Sequence, residues 1–273
     1  MGAVRFAPKQ FLGACERQRS AHGLSLADLR PTVPEHEVHQ HTHEDAHFLL
    51  LLAGRYVSSA RGMPEVCDRP ALVLNPPGTT HKDRFRGLDG RFFTLSVPAE
   101  SWHSVTKARA LPDHAVRLGT AALLAAYRLC DELPRWDDAS ALVVESEYHL
   151  LLADAALDAR ERLSSGPPWL ARARERLQDA SDVTPRLSEL AAAADVHPVH
   201  FSRAFRARYG RSPGEYLRHC RLERACALLR DLRTPLAAIA AQCGYVDQSH
   251  FSHAFRRAYR LTPTAFRRLL RRA

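Results

Sequence analysis

The sequence predicts an α+β chain: a strand-rich N-terminal domain, a helical middle, and an all-α C-terminal domain with two helix-turn-helix units. Three observations point there. The first is an internal repeat. His200-Phe201-Ser202-Arg203-Ala204-Phe205-Arg206 returns fifty residues on as His250-Phe251-Ser252-His253-Ala254-Phe255-Arg256, and Tyr209/Tyr259, Pro213/Pro263 and Tyr216/Phe266 extend the match. A repeated supersecondary unit is weighed before any single element. The second is a series of short apolar stretches, broken by Gly and Pro, from about Val33 to Pro98. The third is charge. Residues 167–273 carry 20 Arg, no Lys and 9 Asp+Glu, a net of +11, whereas residues 1–166 carry 19 Lys+Arg and 21 Asp+Glu, a net of −2. A preference for Arg explains the missing Lys but not the segregation of sign, which suggests a polyanionic partner for the C-terminal half.

A chain of 273 residues exceeds the usual ~100–200 residues of one domain. The expected boundaries are 1–112, 113–166 and 167–273. No run of ~18 apolar residues is present, so no membrane span is expected. Residues 1–30 carry scattered charges and read as no leader peptide. Six cysteines without a CxxC pair fit reduced thiols in a cytoplasm.

Phe48–Ala53, Tyr56–Ser58, Ala71–Leu74 and Arg91–Val97 read as strands, with Gly54, Gly62, Pro76-Pro77-Gly78 and Gly87 as turns. Many short strands with such punctuation suggest a sandwich or barrel. Ala115–Leu133 and Ala139–Leu163 read as Ala/Leu-rich helices parted by Pro134, and Ser164–Pro168 as a linker. Beyond Trp169 the period is helical, with Pro185, Pro198, Pro213, Pro235 and Pro263 near helix starts, where a missing amide is harmless. Trp102, Trp136 and Trp169 read as packing residues.

In the first repeat Leu187, Leu190, Ala191 and Ala194 mark one helix face, Asp195-Val196-His197 the turn, and Phe201, Ala204, Phe205 and Tyr209 the buried stripe of the next helix. Val199, Ser202, Arg203 and Arg206 then face outward. In the second, Leu236, Ile239 and Ala240 open the unit and Gly244 sits in the turn. Phe251, Ala254, Phe255 and Tyr259 are buried, and Gln248, Ser249, Ser252, His253 and Arg256 face outward. Arg pairs with guanine, Gln with adenine, Ser with either base, and Val199 could meet only a thymine methyl. Arg206 and Arg256 lie a turn further on and suit phosphates. Pro213–Asp231 reads as a bridging helix with Leu217, Cys220, Ala225, Leu228 and Leu229 inward; it would hold the reading helices at a fixed separation, and matching one turn of DNA would need ~34 Å between them.

The segment Leu187–Phe266 resembles the DNA-binding domain of AraC/XylS-type transcriptional regulators. The resemblance rests on Leu190-Ala-x4-Val196-x-Pro198-x2-Phe201-Ser-Arg-x-Phe205-Arg, Gly210-x-Ser212-Pro213-x2-Tyr216, Arg221-Leu-x2-Ala225-x2-Leu228-Leu229, Ile239-Ala-x3-Gly244-Tyr-x-Asp247-Gln-Ser-His-Phe251-x3-Phe255-Arg and Pro263-x2-Phe266-Arg267. It covers about a third of the chain. It implies that the second helix of each unit enters the major groove of promoter DNA and that Val199, Ser202, Arg203, Gln248, Ser249, Ser252 and His253 meet bases. It also implies a homodimer paired through the helices of the middle region, a small-molecule effector, and contact with RNA polymerase in an activator.

The N-terminal half carries His41-x-His43-x3-His47-x6-Gly54, then Pro77-Gly78-x2-His81. Residues two apart on a strand share a face, so His41 and His43 can point at one metal. Imidazole suits Zn, Cu, Fe and Ni. The pattern is similar to the two motifs of cupin barrels, with His47 where enzymatic cupins often carry Glu. That resemblance implies a cupin-like β-barrel and a divalent Zn, Fe or Ni ion held by His41, His43, His47 and His81. Without a metal, the same side chains would line a pocket for an organic effector. The expectation is a regulator and not an enzyme. The alternatives are a metal-dependent cupin enzyme fused to a DNA-binding domain and, less favoured for want of an N-terminal cysteine cluster, a DNA-repair methyltransferase.

Overall fold

The computed structural model describes residues 4–61, 66–67, 70–163, 166–180 and 184–272; Gly62 and Ser164-Ser165 of the expected linker lie outside them. The chain forms two compact units, 1–159 and 160–272.

The first unit is built from β1 (Val4–Phe6), β2 (Gly13–Ala21), β3 (Leu24–Pro31), β4 (His41–His43), β5 (Ala46–Ala53), β6 (Tyr56–Val57), β7 (Val66–Cys67), β8 (Ala71–Asn75), β9 (Thr80–His81), β10 (Arg84–Phe85), β11 (Arg91–Val97) and β12 (Val116–Arg117). A six-stranded antiparallel sheet runs β12-β8-β5-β11-β3-β2, beside two three-stranded sheets, β1-β4-β9 and β10-β6-β7. The β2–β3 hairpin turns at His22-Gly23, both at positive φ (51° and 77°), the backbone a two-residue hairpin turn requires. At the central strand β5 both faces of the large sheet are buried, so Phe48–Leu52 is a continuous apolar run without alternation. One face gathers Leu29, Leu49, Leu51 and Phe92 with Tyr56 and Phe85. On the other, Trp102 of α1 (Ala99–Ala108) lies edge-on to Phe48.

Two readings are corrected in this unit. Ala115–Leu133 is not one helix: Val116–Arg117 pairs with β8, Leu118 donates its amide to Leu72, and α2 (Thr120–Glu132) starts only after Gly119. Sheet pairing outcompetes helix propensity where Val116 is wholly buried. The strands β1–β3 and the helix α1 precede or follow the region read as structured. In the middle region α2 packs on β3, β5 and β8, and α3 (Ser140–Leu163) belongs to the first unit as far as Ala159.

The second unit is helical throughout: α4 (Pro168–Asp179), α5 (Leu187–Ala192), α6 (Pro198–Tyr209), α7 (Pro213–Leu228), α8 (Leu236–Gln242), α9 (Gln248–Tyr259) and α10 (Pro263–Arg272). Pro168, Pro198, Pro213 and Pro263 each open a helix, so Pro168 starts α4 and is no linker residue. Phe201, Phe205 and Tyr209 pack with Leu170, Ala173 and Leu177 of α4, Leu190 of α5 and Tyr216 and Leu217 of α7. The second repeat buries Ile239, Phe251, Phe255, Tyr259 and Phe266. Leu222, Ala225, Cys226 and Leu229 of α7 and its cap are buried too, whereas Cys220 and Leu228 are half-buried. Leu187 departs from its expected inward place and is 40% exposed.

Candidate functional site

In the first unit four histidines converge. β4 places His41 and His43 on one face, and antiparallel pairing sets His41 directly across from His81 of β9. His47 of β5 pairs with Asn75 of β8. All four imidazoles are buried. His41, His43 and His81 each offer a nitrogen within 4.8 Å of the others. His47 reaches the cluster as a ring, 4.4 Å from His43 between centroids, but its Nε2 accepts from the Asn75 amide at 3.0 Å. His41 Nδ1 donates to the His39 carbonyl at 2.9 Å. His81 Nδ1 stands 2.8 Å from the Asp83 carboxylate, and its Nε2 has no hydrogen-bond partner although the residue is 2% exposed. Asp83 is itself held by the hydroxyls of Tyr56 and Ser58 and the Ser59 amide.

Burial favours the neutral form of His41, His43 and His47. Burial, reinforced by the His47, His81 and His41 rings, pushes His43 far below the usual imidazole range. Burial first, then His81, pushes His47 down to about 3. Burial would raise the Asp83 carboxyl, but His81, Tyr56 and Ser58 hold it below its ordinary value. The histidines line a cavity of about 40 Å³ with Phe11, Tyr56, Asp83 and Phe85. That is room for an ion and a few waters. Buried imidazoles, an orphaned buried Nε2 and a carboxylate behind one ring make a donor set that fits a divalent metal. Zn–N bonds of about 2.1 Å put tetrahedral donors about 3.4 Å apart, so ring rotation must draw together by up to about 1.4 Å donors that lie within 4.8 Å of one another.

In the second unit α5 and α6 form one helical pair and α8 and α9 another. The first turn passes through Asp195 at φ 52° and the second through Gly244 at φ 71°. His197 caps α6, its Nδ1 accepting from the Val199 amide; Asp247 caps α9 by accepting from the His250 amide at 2.7 Å. The fully buried Phe201/Phe205 and Phe251/Phe255 turn the opposite side of each helix outward. Val199, Arg203 and Arg206 are exposed and Ser202 half-buried; Gln248, Ser249, His253 and Arg256 are exposed and Ser252 half-buried. The same seven-residue exposure pattern therefore recurs from Phe201 and from Phe251. Gln248, Ser249, Ser252, His253 and Arg256 line one shallow concavity with Thr262, and His253 and Arg256 line a second with Arg257 and Arg260.

Residues 190–269 match the model of a family described as a helix-turn-helix domain. An AraC-like transcription regulator of Streptomyces antibioticus is 39% identical over 82 residues, 30% of this chain and 27% of its own. The transcriptional activator RhaR of Pectobacterium atrosepticum is 38% identical over 138 residues, 46% of this chain and 47% of its own. The C-terminal unit is an AraC-type helix-turn-helix domain. The chain spans less than half the length of either relative. Among solved structures, the C-terminal domain of AraT, a response regulator from Geobacillus stearothermophilus, is 35% identical, with a TM-score of 0.36, over 39% of this chain and 87% of that one.

Within the AraC-type domain the nine residues singled out in the sequence all lie on α6 or α9. Sequence reasoning passed over Arg257 and Arg260, which share the basic concavity; the signal for Arg257 was the Arg-Arg pair that follows Phe255. Outside the domain it passed over Asp83 and Asn75. Asp83 stands two residues after His81, whereas Asn75 meets His47 only through strand register.

Proposed function

We propose that the chain is a transcription regulator that binds double-stranded promoter DNA through two helix-turn-helix units and senses a ligand in the histidine-lined cavity of its first unit. One observation carries the reading: α6 and α9 bury the same aromatic stripe and display matching outward positions, of which Ser202 and Ser252 agree while Val199 corresponds to Ser249 and Arg203 to His253. Those side chains suit base edges in a major groove, and Arg206 and Arg256 suit phosphates. Because Arg203 is answered by His253, the two half-sites differ and the chain has a direction on DNA. Mobility-shift titrations of Arg203→Ala and Arg256→Ala test this. Loss at Arg256 is uniform across sequences with a salt slope shallower by about 1, and loss at Arg203 depends on the base opposite. Undiminished binding by both variants removes the reading.

The first unit supplies the sensor, in a cupin-like arrangement of its sheets. Zn, Fe or Ni would be held by His41, His43 and His81, with Asp83 fixing the His81 tautomer and supplying a negative charge beside the site. His41 and His43 of β4 and His81 of β9 would hold the ion, which would supply a coordination link between the two strands. His47, engaged by Asn75, buttresses His43 without joining the ligand set. Metal content of the purified protein tests the assignment: His81→Gln loses the ion, and His47→Gln keeps it within about threefold of wild-type affinity. Equal loss in both variants returns His47 to the ligand set.

Pairing into a homodimer through α3 is supported by Leu142 and Leu150, 69% and 50% exposed on one arc of that helix. Such a dimer places two reading domains on one promoter, where an activator meets RNA polymerase. Leu142→Glu with Leu150→Glu then sediments as a monomer.

A further inference from the structure

We propose that Val246 is a specificity-determining residue of the second helix-turn-helix unit and that it recognises the 5-methyl group of a thymine in the half-site α9 reads. The inference rests on the DNA-binding reading of the C-terminal unit and adds a contact with no counterpart in the first unit.

The two turns differ in length. In the first, the Val196 amide donates to the Ala191 carbonyl at 3.1 Å, and the next residue, His197, caps α6. In the second, the Tyr245 amide makes the equivalent bond to Ala240 at 3.0 Å, but one further residue intervenes before the cap Asp247. That inserted residue is Val246. Val196 packs against the core of its unit, as does Tyr245, which is 8% exposed. Val246 has neither a cavity to fill nor a neighbour to cover it: at 89% it is the most exposed large apolar side chain among the described residues.

Its position is nonetheless fixed. Tyr245 is anchored in the core on one side, its ring 5.3 Å from that of Phe251, and on the other Asp247 is tied by its carboxylate to the His250 amide. A β-branched side chain between two such anchors has few rotamers. It is displayed directly before Gln248 and Ser249, the first residues of the reading helix, on the unit whose concavity is lined by His253, Arg256, Arg257 and Arg260. With no donor or acceptor, valine has one feature to read in a major groove, the thymine methyl. In the first unit the exposed valine is Val199, inside the helix, where the second unit has Ser249. Each unit thus offers one apolar contact, set at different places relative to its reading helix.

The test begins with a duplex selected from random sequence by the full chain. Each thymine is replaced singly by deoxyuridine, which removes the methyl and keeps base pairing. One replacement weakens wild-type binding about fourfold, the worth of one methyl group. Val246→Ala and Val246→Ser bind the thymine and uracil duplexes equally, and Val246→Ile restores the preference. Because the side chain is exposed, unchanged melting temperatures for these variants separate the effect from misfolding. Uracil sensitivities identical in wild type and Val246→Ala overturn the proposal. So does a Val246→Ala variant with unaltered DNA selectivity but lost promoter activation, which would assign the valine to a protein partner. Failure to select any duplex is a distinct result, removing the DNA-binding reading itself.

Discussion

Arg260 closes α9 in the left-handed region, φ 59°, where the matching cap of α6 is Gly210 at φ 70°. A side chain there costs about 1–2 kcal/mol that glycine avoids. Arg260→Gly should therefore raise stability by about 1 kcal/mol in urea denaturation. Because Arg260 lines the basic concavity beside Arg256 and Arg257, the same change should weaken DNA binding and lower its salt slope by about 1. A variant both more stable and equally tight on DNA would deny the residue that role. The histidines show what a chain alone reveals at this scale. His41 and His43 were legible because a strand puts alternate residues on one face, and His47 and His81 because spacing marked them. The roles were not legible. Register decides that His47 meets Asn75 while His41 meets His81, and only folding brings Tyr56 and Ser58 onto Asp83.

At the scale of elements, each helical pair is a small core with little redundancy. Phe255 is fully buried and touches the rings of Phe251, Tyr259 and Phe266, which links α9 to α10. Phe255→Ala should cost about 3–5 kcal/mol, enough to lose DNA binding through the second unit while circular dichroism still reports the sheet of the first. Losing the Asp247 side chain should cost only about 1 kcal/mol, as a cap does. The C-terminal helices were legible because their period and opening prolines agree: Pro198, Pro213 and Pro263 each stand at the first helical position. The N-terminal hairpin was not. β2 is a polar edge strand exposed along most of its length, and β3 carries Asp28, a buried charge that reads as loop until Arg91 is seen to pair with it at 2.7 Å. Val116–Arg117 was absorbed into a helix because its partner, β8, lies some forty residues away.

For the whole molecule, sensing requires that the ligand of one unit change the affinity of the other. Coupling of the usual size is 1–3 kcal/mol, about 5–150-fold, and it is reciprocal. Saturating metal should change the affinity for a selected duplex by such a factor, and the duplex should change metal affinity by the same factor. Equal DNA affinity with and without metal would leave the first unit no sensory role for that ion. The net +11 of residues 167–273 is carried entirely by arginine, a cation that keeps its proton under any cellular condition. A surface of that kind holds any duplex, whatever its sequence, and lets a protein slide and hop along it. Under the proposed function, the chain would search for its promoter in one dimension. Regulation of such a molecule acts on where it stops, not on whether it is bound.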